Sequence, residues 1–76
     1  MTVYVKASSR YFVNKWLKNN IVVRAEEIQT PAVFELSNMS DGTNVWLYIN
    51  RDTMGAPISF SKYKLTTLKD GTRRLK

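Results

Sequence analysis

Thr43–Asn50 reads TNVWLYIN, set between an Asp41-Gly42 turn signal and the turn-forming run Arg51–Pro57, RDTMGAP. Val45, Leu47 and Ile49 alternate with Trp46, Tyr48 and Asn50. A period of two marks a strand, whose successive side chains point to opposite faces. Both faces of this strand carry large apolar groups, so both call for cover. One helix covers one face only. The second is then met by curling the sheet into a barrel, by a second copy of the chain, or by a partner.

Upstream, Thr2–Lys6 (TVYVK) alternates Val3 and Val5 against Tyr4, a short strand. Ser8 or Ser9 is suited to open a helix by accepting backbone N–H bonds. Phe12, Val13, Trp16 and Leu17 then form one apolar stripe at helical spacing over residues 9–19. Lys15 and Lys18 suit the negative end of the helix dipole, and Asn19-Asn20 suits its stop. Ile21–Arg24 reads as a strand with a polar tail, and Pro31 marks a boundary or edge position. Ala32–Ser37 is the next strand. Across the Asp41-Gly42 turn, its Phe34 and Leu36 are expected to pair with Val45, Leu47 and Ile49 in a hairpin.

Downstream, Gly55 and Pro57 punctuate a second turn. Ile58 and Phe60 lie in one phase, Tyr63 and Leu65 in the other, which predicts a bulge or bend near Lys62–Tyr63. Asp70-Gly71 signals a last turn, before a short strand through Leu75 or a basic tail. The expected architecture is a single α+β domain over residues 1–76. One N-terminal helix packs on a mostly antiparallel meander sheet of four to five strands. A small SH3-like or OB-like open barrel is the alternative.

Composition narrows the function. With neither cysteine nor histidine, disulfides, thiolate metal sites and the commonest neutral-pH base are excluded. The serines have no histidine to activate them. Asp41 and Asp70 already serve turns, and Gly42, Gly55 and Gly71 are isolated turn glycines rather than a phosphate loop. No catalytic residue, metal or cofactor is expected. No run approaches the roughly 18 apolar residues of a membrane span, and the start has no secretory apolar stretch. The chain is therefore expected to be a mature, soluble, cytoplasmic protein without a membrane partner.

Twelve Lys and Arg against six Asp and Glu leave a formal charge of +6. Residues 1–24 hold five cations and no acid, residues 62–76 six cations against Asp70, and the middle is acidic. Basic ends with interleaved aromatics fit a non-catalytic nucleic-acid-binding module, for single strands ahead of duplex. Lys6, Lys62, Lys64, Arg73 and Arg74 are the candidate phosphate contacts. Trp46 and Tyr48, about 6.6–6.8 Å apart on one strand face, are the candidate stacking surface. The alternative is a small regulator or inhibitor that occludes an acidic surface of a larger protein. Its interface would hold Trp46, Tyr48, Arg51 and Tyr63, since Trp, Tyr and Arg are the usual hot-spot residues. A homodimer through the same strand is the third way to cover it.

Overall fold

The computed structural model describes residues 2–28, 30 and 32–76. The expected boundary at Pro31 lies outside the described residues. In chain order the elements are β1 (Thr2–Lys6), α1 (Arg10–Lys18), β2 (Arg24–Glu26), β3 (Val33–Glu35) and a 3-10 turn, Leu36–Asn38. Then come β4 (Asn44–Tyr48), β5 (Asn50–Arg51), β6 (Pro57–Ile58), β7 (Ser61–Thr67) and β8 (Arg73–Leu75). Six strands form one sheet in the order β3-β2-β1-β4-β7-β8, while β5 and β6 pair separately. β3 and β8 are free edges, so the sheet does not close into a barrel. All pairings are antiparallel except β1 with β4, where Val3 lies beside Val45 and Val5 beside Leu47.

This order overturns the expected β3–β4 hairpin. Phe34 pairs with Ala25 of β2, and the chain then turns through Leu36–Asn38 before reaching β4. Leu36 is fully buried, and its N–H donates to the Val23 carbonyl at 3.0 Å, which holds β3 against the β2 side. β1 takes the place beside β4 because its two valines need neighbours on both flanks to be buried. The sheet therefore has six strands rather than four or five, and it is mixed rather than a meander.

α1 ends as its sequence suggests. Ser9 occupies the N-cap position with extended backbone, although its side chain makes no capping bond. At the other end Asn20 adopts φ 59. The Asn20 and Ile21 N–H groups return to the carbonyls of Leu17 (3.2 Å) and Trp16 (2.8 Å), a Schellman close that uses carbonyls the helix leaves unpaired. Val13 is fully buried, with Trp16 and Leu17 packed beside it on a core that includes Val3, Val5, Ala25, Leu36, Val45, Leu47, Leu65 and Leu75. Phe12, expected in that stripe, is 43% exposed and rests on Trp16 instead, with ring centroids 6.3 Å apart.

The expected bulge at Lys62–Tyr63 is absent. β7 runs unbroken from Ser61, and the irregularity falls earlier, at Ser59 (φ 56) and Phe60 between β6 and β7. Asp52 organises the β5–β6 turn by accepting from the Met54 and Ala56 N–H groups, each at 2.9 Å. In the β7–β8 turn, the Thr72 N–H bond to Asp70 Oδ1 (2.9 Å) is the main cause holding that carboxyl below its ordinary pKa.

Candidate functional site

α1 packs on the sheet face that carries Val3, Val5, Val45 and Leu47. The even-numbered residues of β1, β4 and β7 therefore project from the other face. Register sets them in rows across the strands. Tyr4 lies beside Trp46 and Trp46 beside Lys62, with Thr2, Asn44 and Lys64 in the next row and Lys6 beside Tyr48. Arg74 of β8 pairs with Thr66 of β7 and so shares this face. Toward the opposite edge the same face presents Glu26, then Arg24 beside Glu35. Cations thus dominate its β7–β8 end and carboxylates its β2–β3 end.

Trp46 is the hub. Its ring is 6.3 Å from that of Tyr4 at a 32° tilt and 4.6 Å from that of Phe60, edge-on at 67°. Lys62 Nζ stands 5.8 Å above the indole. Trp46 is half-buried, while Phe60 is 46% exposed. The indole Nε1 and the Asn44 Oδ1, two residues apart on this face, are buried without a hydrogen-bond partner within the protein. A buried donor and acceptor left unpaired are uncommon in a folded chain, because each forfeits its bonds to water.

Tyr48 does not share this role. It is only 3% exposed. Its hydroxyl accepts from Arg51 Nη2 at 2.7 Å and Nε at 3.2 Å, and the guanidinium lies 5.0 Å over its ring. Arg51 also ion-pairs with Glu26. The expected pair of stacking rings on β4 reduces to Trp46, with Tyr48 acting as its buried neighbour. Burial raises the Tyr48 phenol above its ordinary pKa.

The structure also separates residues that the sequence grouped. Arg73 faces the helix side, where Nη1 donates to the carbonyls of Leu36 (3.2 Å) and Met39. Its Nη2 is 4.0 Å from Asp41. It ties the β8 edge to the 3-10 turn and takes no part in the open face. Tyr63 pairs with Val45 in register, packs on the core and carries Arg10 at 5.3 Å over its ring, so it lies opposite Trp46. Lys6, Lys62, Lys64 and Arg74 do share the Trp46 face. Sequence reading missed Tyr4 and Phe60. Their signals were present: Tyr4 stands out of phase with two buried valines, and Phe60 is in phase with Lys62 and Lys64.

Among the described residues, no group of three metal-ligating side chains occurs, and no helix is long and apolar enough to cross a membrane. Comparison with protein-family models, with curated proteins and with solved structures finds no match to this chain.

Proposed function

We propose that the chain is a non-catalytic, single-strand nucleic-acid-binding module that works through its uncovered sheet face. Trp46 supplies the stacking surface, buttressed by Phe60 and Tyr4. Lys62, Lys64 and Lys6 supply phosphate contacts around it. Tyr48 and Arg51 hold the strand, and Arg73 holds the edge. The observation that carries this reading is the lysine over a half-buried tryptophan on a face the helix leaves open. Stacking on an aromatic is tolerant of base identity, so little sequence preference is expected. A duplex would present only its sugar–phosphate exterior to a flat sheet, so unpaired bases bind better.

The test is anisotropy of a labelled oligonucleotide, single-stranded and duplex, at two salt concentrations. The single strand is expected to bind more tightly, with affinity falling as salt rises. Trp46→Ala is expected to cost about 1–3 kcal/mol of binding, the usual worth of one stacked base. Replacing Lys62 and Lys64 by Gln is expected to flatten the salt dependence, by roughly 0.7 in the log–log slope for each phosphate no longer neutralised.

A second reading has its own observation. Ile49, Met54, Ile58 and Phe60 are exposed on and beside the β5–β6 arm, Met54 at 91%. Such a cluster next to Trp46 suits a protein surface, which would make the chain a small regulator that occludes a larger partner. No oligonucleotide binding even at low salt would favour that reading.

A further inference from the structure

A concavity lies between α1 and the edge strand β8, with Arg74, whose register sets it toward the Trp46 face, among its lining residues. It is a groove of about 840 Å³, with Arg10, Lys15, Lys18, Tyr63, Asp70 and Arg74 among its lining residues. Four of those six side chains are cationic and one is acidic. Two further lining residues are already engaged: Arg73 with backbone carbonyls, and Asn14 with the Leu75 backbone. Among the described residues, none of Arg10, Lys15, Lys18 and Arg74 has a carboxylate within 4.0 Å, because the two ion pairs found there belong to Arg51 and Arg73.

Two placements speak against ordinary solvated charge. Arg10 opens the helix, where the dipole disfavours a cation, and the first turn holds no acid to offset it. Its guanidinium is instead held at 5.3 Å over Tyr63, at the groove wall. Arg74 Nε is buried and has no hydrogen-bond partner within the protein. Cations that gather in a concave, partly apolar site raise the local potential more than the same charges spread over a convex surface. A local rule broken at several neighbouring positions is the usual mark of a functional site.

We infer that this groove binds clustered phosphoryl groups, those of a polyphosphate or of a nucleic-acid backbone. Arg10 and Arg74 are the forked donors, and Lys15 and Lys18, on the same helix as Arg10, are the point charges. The site does not depend on stacking at Trp46.

The experiment is a titration of the intact chain with sodium tripolyphosphate, followed by amide proton–nitrogen NMR spectra, with sodium chloride at matched ionic strength as control. Saturable shifts at Arg10, Lys15, Lys18 and Arg74 are expected. Lys15→Gln with Lys18→Gln, both accessible positions on the helix surface, is expected to weaken binding about tenfold or more, as for the removal of a charge-assisted bond. Shifts that do not saturate, that chloride reproduces, or that survive the Lys15/Lys18 changes would overturn the site. A parallel titration with an unlabelled single strand separates the sources. If its groove shifts are displaced by tripolyphosphate, the ligand is the nucleic-acid backbone, and if it leaves the groove untouched, the ligand is free polyphosphate. The Trp46 indole resonance reports the open face separately, so either site can fail without the other.

Discussion

Trp46 and Tyr48 sit two residues apart on one strand face, and the reach of one arginine separates their roles. Arg51 folds over Tyr48 and donates two N–H bonds to its hydroxyl, while Lys62 reaches over Trp46 without sealing it. Tyr48→Phe removes the acceptor for a half-exposed guanidinium. It is expected to cost about 1 kcal/mol, measured by urea unfolding at neutral pH. The pH dependence carries a sign. Burial raises the Tyr48 phenol in the folded chain. Its contribution to stability is fully present below its ordinary value, near pH 10, and is lost as pH climbs through the raised folded value. Stability should therefore fall on the alkaline side, and Tyr48→Phe should flatten that fall. An alkaline slope identical in both proteins would assign it to other groups.

At the scale of elements, β8 is a three-residue edge strand that would otherwise expose an unpaired backbone. Asn14 of α1 meets it with both halves of its amide. The Leu75 N–H donates to Asn14 Oδ1 at 2.6 Å, and Asn14 Nδ2 donates to the Leu75 carbonyl at 3.3 Å. The side chain thus stands where a further strand would be, and it fixes the helix over the core. Asn14→Ala leaves two part-buried backbone groups without protein partners and is expected to cost about 1–3 kcal/mol. Hydrogen exchange at the Leu75 amide should speed up beyond what global unfolding explains. Unchanged exchange would remove Asn14 from this role. Local pattern made β1, α1, β4 and the three Asx-Gly or Gly turns legible, because each depends on neighbours in sequence, whereas the strand expected over Ile58–Lys62 is split between β6 and β7. Pairing was not. The Asp41-Gly42 signal suggested a hairpin, but Gly42 at φ 85 serves a turn from the 3-10 segment into β4. The neighbour of β4 comes instead from β1, at the far N-terminal end of the chain. Two valine-bearing strands seek mutual burial, and no local spacing records which partner each will find.

For the whole molecule, shape and charge act together. Six strands at about 4.8 Å spacing span roughly 24 Å, whereas the long dimension is 41 Å. β5 and β6 form a separate two-stranded arm between β4 and β7. The helix lays its apolar stripe on one face, so the other remains open, although the double-sided pattern of TNVWLYIN calls for cover on both. That pattern allowed a barrel, a second copy or a partner, and the free edges at β3 and β8 exclude the barrel. The candidate site was legible in Trp46, Lys62 and Lys64, which follow from strand alternation alone. Tyr63 and Arg73 were misplaced because the register of β7 and β8 decides their face, and register depends on distant pairing. If Trp46 on the open face meets unpaired bases, its fluorescence must respond to a short single strand. Trp16 and Trp46 are the only tryptophans, so Trp46→Phe assigns the signal. Saturable quenching is expected at low salt, weakening as salt rises and disappearing in Trp46→Phe. Binding with no quenching from Trp46, or no binding at low salt, would contradict a stacking role for this face.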